Sequence, residues 1–312
     1  MLSLRARLVV CAMTHRHLLR PPFRRTDSDW STFAAIERFR QEVERGAGRF
    51  GRLPVGIESN PVDCGGIRAE WVSPAAAVRD RALLYFHGGG YVSGSIPAHR
   101  AIVAKFAGGS AIPALLFEYR LAPEHRFPAA LEDALAVYRW LLSEGKDPSH
   151  IAFCGDSAGG GLALATLLAL KDTGLPLPAA AAVLSPVTDF TCSGDSYRTN
   201  ARTCLSPPGM GQACARHYCG DQDPAHPYVS PLFGQLEGLP PLLVYAGSEE
   251  TLLDDSTRFA ARARAAGVDV RLEIGRGLFH CYPACSPLFP EARQAMADIC
   301  AFLRTHTGLP AH

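Results

Sequence analysis

At 312 residues, with 47% hydrophobic and 20% charged side chains and a formal net charge of +1, the chain has the make-up of an ordinary globular protein. The near-neutral balance carries no electrostatic footprint for nucleic acid. No apolar run reaches the length of a membrane span, so stable membrane insertion is not expected. The length suits one large α/β domain or two smaller ones, and either would bury a sizeable core.

The chain starts with arginines: Arg5, Arg7, Arg16, Arg20, Arg24 and Arg25 all precede the first acid, Asp27. The apolar stretch 8–13 is cut off by His15 and Arg16, too soon for a signal peptide; an Arg-rich transit peptide is the alternative to an amphipathic surface helix. Trp30, Phe33, Ile36 and Phe39 continue at helical spacing, so residues 1–50 read as helices. From residue 66 onward, strand-like and helix-like segments alternate, which predicts an α/β fold with a mostly parallel central sheet flanked by helices. Strands are expected at 67–72, 82–86, 114–119, 151–154, 180–184, 242–246 and 268–274, several of them continuous apolar runs suited to burial on both faces. Helices are expected at 101–107, 129–142, 160–170, 252–266 and 291–303. Residues 190–227 break the alternation with Cys, Gly, Pro, Ser and Arg. With residues 1–50 they are expected to form a helical cap over the C-terminal edge of the sheet, residues 51–312 being the main domain.

The ten cysteines follow no disulfide framework, and without a secretory signal they imply reduced thiols in a cytoplasmic protein. Cys214-x-x-His217-x-Cys219, with Cys204 nearby, matches no standard zinc spacing, and no metal is expected.

Two strings carry the chemistry. In Gly155-Asp156-Ser157-Ala158-Gly159, a strand-like run leads in and a helical run leads out, the context in which glycines at minus and plus two permit a strained turn that exposes Ser157. Serine is a weak nucleophile alone and needs a base, an orienting acid and an oxyanion site. His87-Gly88-Gly89-Gly90, after the run 82–86, supplies backbone N–H groups with no side chains in the way. Gly88 and Gly89 with Ala158 are the expected oxyanion donors, and losing one such donor costs about 3 kcal/mol of transition-state stabilisation. Among eleven histidines, His280 is the expected base, because it follows the last strand and the loop 275–279. For the acid, Glu249, Glu250, Asp254 and Asp255 follow the strand 242–246. Asp254 and Asp255 are expected to face solvent on the next helix, Glu250 sits at the loop-to-helix junction, and Asp189 is an outside alternative. Cys281 and Cys285 lie close after the base and raise the question of redox sensitivity.

With His87-Gly88-Gly89-Gly90, Tyr119-Arg120-Leu121-Ala122-Pro123-Glu124-His125, Gly155-Asp156-Ser157-Ala158-Gly159-Gly160 and Phe279-His280 in register, residues 80–285 resemble the hormone-sensitive-lipase-like esterases. These are the bacterial family IV lipolytic enzymes of the α/β-hydrolase superfamily. The resemblance implies the α/β-hydrolase fold, a cap, and cleavage of short- to medium-chain or cyclic esters through an acyl-enzyme, with no cofactor. Where many members carry Asp-Pro-Leu, this chain has Glu250-Thr251-Leu252, which favours Glu250 as the acid and departs from the common pattern. That departure and Gly238-Leu239-Pro240-Pro241 are similar to a branch that includes monoterpene ε-lactone hydrolases. Tyr119 to His125 read as bracing, and His87, Gly90, Tyr91 and Asp156 as groups that shape the site. The partner implied is a small ester, with a homodimer left open. The rival is a non-catalytic receptor on the same fold, as in the plant gibberellin receptors, which lack the catalytic histidine.

Overall fold

The computed structural model describes residues 2–14, 30–50 and 52–310. In chain order the elements are α1 (Leu4–Thr14), α2 (Phe33–Phe50), β1 (Ile57–Asp63), β2 (Arg68–Pro74), β3 (Ala82–Phe86), α3 (Ile96–Ser110), β4 (Ala114–Phe117), α4 (Ala129–Ser143), β5 (Ile151–Asp156), α5 (Ala158–Asp172), β6 (Ala180–Leu184), α6 (Ser196–Thr199), α7 (Met210–Cys219), β7 (Leu242–Gly247), α8 (Leu253–Ala265), β8 (Val270–Gly275) and α9 (Pro290–His306). Among the described residues, eight strands form one sheet in the order β1-β2-β4-β3-β5-β6-β7-β8. The β1/β2 and β2/β4 pairs are antiparallel and the rest are parallel.

The sheet divides two cores by side-chain alternation. Leu84 and Phe86 of β3 face one side, packed with α4, α5 and Phe259 of α8. Leu83 and Tyr85 face the other, with Val103 and Phe106 of α3 and Ile299 and Leu303 of α9. Strands β3, β5, β6 and β7 are buried along their whole length, which is why they read as unbroken apolar runs.

The expected strands are all present, with ends shifted by a residue or two in several. The strand expected to 119 ends at Phe117. Strand β1 is the one the apolar pattern missed: its sequence IESNPVD is polar, carries Pro61 and lies at the sheet edge. Helix α3 starts earlier than its expected run, at Ile96, capped by Ser95, whose side chain accepts a bond from the Ala98 N–H at 3.1 Å, with a proline in the first turn.

The N-terminal helices lie apart. Helix α1 sits against α9, with the Ser3 hydroxyl donating to Glu291 at 2.8 Å and Ala6 buried. Helix α2 sits over the loops after β3 and β4. Its Arg40 donates to the carbonyls of Val92 (2.6 Å) and Ala122 (2.9 Å) and pairs with Glu124 at 2.7 Å. The Trp30 carbonyl meets His217 of α7 at 2.8 Å, so the segment before α2 touches the 190–227 region. His15, Arg16, Arg20, Arg24, Arg25 and Asp27 lie outside the described residues.

Candidate active site

Strand β5 runs straight into α5 through Ser157, whose backbone stands at φ 54°, ψ −123°, a conformation a non-glycine residue adopts only at a cost. The turn is held by tight approach. A Cβ on Gly159 would lie 2.1 Å from the Phe86 carbonyl oxygen, and one on Gly155 would lie 2.7 Å from the Gly159 carbonyl oxygen. The Ser157 N–H donates to the Leu184 carbonyl at the end of β6 (2.8 Å), and the Ser157 carbonyl accepts the N–H groups of Gly161 and Val187, both at 3.1 Å. The serine is therefore fixed at the C-terminal edge of the sheet, where open α/β folds bind ligands.

Glu250 and His280 meet at that edge. Glu250 is fully buried, and one carboxylate oxygen, Oε2, hydrogen-bonds His280 Nδ1. Its other oxygen accepts the Gly247 N–H (2.6 Å) and the Ser185 hydroxyl (2.8 Å). His280 follows Phe279, which is buried against Phe289 and anchors the loop after β8. Burial by itself disfavours the imidazolium, but Cys281 and the Glu250 carboxylate outweigh it and hold His280 well above the ordinary histidine value. The loop is tied to the serine through β6. Cys281 Sγ lies 3.6 Å from the same Leu184 carbonyl that Ser157 uses, and the Cys281 N–H donates to Ser185 Oγ at 2.9 Å.

The other acids are accounted for elsewhere. Asp255 does not face solvent, contrary to the expectation from helix position, and Asp254 is half-buried. Asp254 accepts the Ser196 N–H at 2.9 Å. Asp255 is fully buried and accepts the N–H groups of Thr188 (2.7 Å) and Asp189 (2.9 Å), because the loop after β6 folds down on the first turn of α8. Burial pushes its carboxyl up to about 8. Asp189 pairs with Arg258 at 2.9 Å and caps its own turn through Thr191 and Ser193, away from His280. Glu249 takes the Ser248 hydroxyl at 2.8 Å.

The oxyanion loop differs from expectation by one residue. The Gly88 N–H donates to Asp156 Oδ1 at 3.1 Å, an oxygen that also accepts the Tyr85 hydroxyl at 2.9 Å, so Gly88 is not free to bind a developing anion. Among the described residues, the N–H groups of Gly89, Gly90 and Ala158 have no acceptor. Gly89 stands at φ 124°, open only to glycine, and turns the chain so that this follows. His87 braces the loop from below. It is buried, stacks on Tyr119 at 4.1 Å between ring centroids, and its Nδ1 meets the Gly88 carbonyl at 2.9 Å. Burial, with His99 beside it, brings its pKa down to about 3, so the ring is neutral. The Tyr119 hydroxyl donates to the His87 carbonyl at 2.8 Å, which gives the Tyr119–His125 string its bracing role. From above, Tyr218 of α7 stacks on Tyr91 at 3.8 Å, and a Cβ on Gly90 would meet Cys214 Sγ at 2.5 Å.

That contact also disposes of Cys214, His217, Cys219 and Cys204 as one ligand set. Cys214 packs on Gly90, His217 meets the Trp30 carbonyl, and Cys204 Sγ lies 3.6 Å from Thr251 Oγ1. No disulfide joins the described cysteines. Burial raises Cys281, with His280 opposing that shift, and pushes Cys285 up to about 11, so burial disfavours the reactive thiolate at both. Among the described residues, no helix is long and apolar enough to cross a membrane.

The family model described as the alpha/beta hydrolase fold matches residues 83–284, from β3 through the His280 loop. The chain belongs to the α/β-hydrolase family. Within it, the chain is 43% identical over 274 residues to an acetyl-hydrolase of Streptomyces hygroscopicus, covering 88% of this chain and 91% of that one. The crystal structure of EstE5 soaked with p-nitrophenyl butyrate superposes with a TM-score of 0.89 at 40% identity, covering 98% of this chain and 99% of the other. An esterase from the bacterial hormone-sensitive lipase family superposes at 0.87 with 41% identity and the same coverage. This α/β hydrolase is a carboxylic ester hydrolase of the hormone-sensitive-lipase-like group. Sequence reasoning missed Ser185 and the buried state of Asp255. A serine before a proline after a buried strand carries no local signal, and only the fold brings Ser185 to Glu250.

Proposed function

We propose that the enzyme cleaves small carboxylic esters through an acyl-enzyme on Ser157, with His280 as base, Glu250 as the orienting acid, and Gly89, Gly90 and Ala158 as oxyanion donors. The observation that carries this reading is the pairing of buried Glu250 with the part-buried His280 at the sheet edge that also holds the strained Ser157 turn. Glu250 holds the Nδ1–H of the imidazole, which leaves Nε2 with its lone pair for the serine proton. As Ser157 Oγ attacks, charge forms on the carbonyl oxygen and is met by the three N–H groups, two from a glycine turn and one at the start of α5. His280 then returns the proton to the departing alcohol. Water repeats the sequence in reverse to release the acid. A receptor on this fold has no use for a histidine held by a buried carboxylate.

The substrate reading favours short acyl groups, supported by the acetyl-hydrolase relative and by the butyrate ester soaked into EstE5. Lactones belong in the panel because of the Glu250 and Gly238–Pro241 likeness. Residues 30–50 and 190–227 together act as the cap, supported by the Trp30–His217 contact and by α7 resting on the oxyanion loop, while α1 lies on α9. A cytoplasmic site suits a chain without disulfides among its described cysteines. Light scattering decides between monomer and homodimer. For the chemistry, Ser157→Ala must abolish turnover of p-nitrophenyl acetate while leaving the thermal transition in place. Retained turnover would refute the assignment.

A further inference from the structure

At the end of β6, Ser185 stands at φ 48° with only 1% of its surface exposed. A non-glycine residue in that backbone region is strained, and a glycine would be relaxed there. Its side chain uses the position fully. The hydroxyl donates to Glu250 Oε1 at 2.8 Å and accepts the Cys281 N–H at 2.9 Å. Its neighbours hold the nucleophile: the Leu184 carbonyl takes the Ser157 N–H, and the Val187 N–H takes the Ser157 carbonyl. Its own N–H is spent on the Tyr245 carbonyl of β7 at 2.6 Å. We infer that Ser185 is a positioning residue that locks the acid Glu250 and the loop of the base His280 into one register through a single hydroxyl.

The inference rests on the esterase reading and extends it. Only a short hydroxyl donates to a carboxylate and accepts from a backbone N–H in the same place. Without it, Glu250 Oε1 keeps only the Gly247 N–H, and the Cys281 N–H next to the base is left with no acceptor. A donor removed from Glu250 leaves its carboxylate more basic, which favours the imidazolium form of His280 and moves the acid limb of the rate profile to higher pH. The groups facing His280 are Glu250 and Cys281, and Asp156 at the end of β5 faces Cys281, so the profile reports this cluster.

Ser185→Gly and Ser185→Ala are compared with wild type by kcat, KM and the pH dependence of kcat on p-nitrophenyl acetate, with thermal unfolding alongside. Both variants should lose about 10- to 100-fold in kcat, keep KM within about twofold and show the acid limb displaced upward. Ser185→Gly relieves the backbone strain, so it carries the test if Ser185→Ala does not fold. A Ser185→Gly enzyme with wild-type kcat and an unmoved pH profile overturns the inference while the esterase reading stands. A wild type with no turnover overturns the esterase reading, and this inference with it.

Discussion

Glu250→Gln separates the chemical role of the acid from its structural one. Glu250 Oε1 accepts two fixed donors, the Gly247 N–H and the Ser185 hydroxyl, so in the amide the carbonyl oxygen must stay on that side. The NH₂ group is then turned toward His280 Nδ1, where the carboxylate oxygen stood. A donor facing Nδ1 forces the other tautomer, with the proton on Nε2, and that imidazole cannot accept the serine proton. The expected loss in kcat is on the order of 10³- to 10⁴-fold, or about 4–5 kcal/mol of barrier. The fold loses little, because both buried donors keep their acceptor. Glu250→Ala orphans the same two donors, at about 1–3 kcal/mol each, and so costs both stability and rate. The assay is kcat on p-nitrophenyl acetate beside urea unfolding of both variants. Glu250→Gln with more than a tenth of wild-type kcat would remove Glu250 as the acid. Equal stabilities for the two variants would refute the hydrogen-bond reasoning.

Four further outcomes follow from the same geometry. His280 must be neutral to act, and it is held above the ordinary value of about 6.5, so the acid limb of kcat/KM should inflect above that pH and fall back in Glu250→Gln. In stability, the His280–Glu250 contribution is complete below about pH 6.5 and is lost as pH rises through the elevated folded value, which chemical denaturation across pH will show. Gly159→Ala should cost about 1–3 kcal/mol or more and most of the activity, since its Cβ would lie 2.1 Å from the Phe86 carbonyl; a wild-type melting temperature would contradict the close packing of the turn. Burial raises Asp255 to about 8, so it holds a proton in the native state that the unfolded chain releases, and it should erode stability by about 1.4 kcal/mol per pH unit between pH 4 and 8. Asp255→Asn should flatten that slope, and an unchanged slope would exclude Asp255 as its source.

What the sequence made legible has a physical pattern. Strands β3 and β6 were read to the residue because both faces are covered, leaving uninterrupted apolar runs. The strained turn at Ser157 was legible because such a turn needs glycines at fixed offsets, and the placing of His280 beside Glu250 because the loop after the last strand returns to the same sheet edge. Strand β1 was invisible because an edge strand need not be apolar. Nothing local in the sequence sets Gly88 apart from its neighbours, because the Asp156 carboxylate that captures its N–H comes into contact only once β3 and β5 pair. Asp255 looked like a solvent-facing helix residue until the loop after β6 delivered two N–H groups to it. Local chemistry was readable, and contacts that join distant loops were not.

The strained, partly buried serine at the β5–α5 turn is the proposed nucleophile, and covalent capture tests it most directly. Wild-type enzyme treated with a fluorophosphonate and analysed by intact mass and peptide mapping should gain one phosphonyl group per chain, at Ser157, and Ser157→Ala should gain none. No adduct on the folded wild type, or an adduct at another residue with Ser157 untouched, would contradict it.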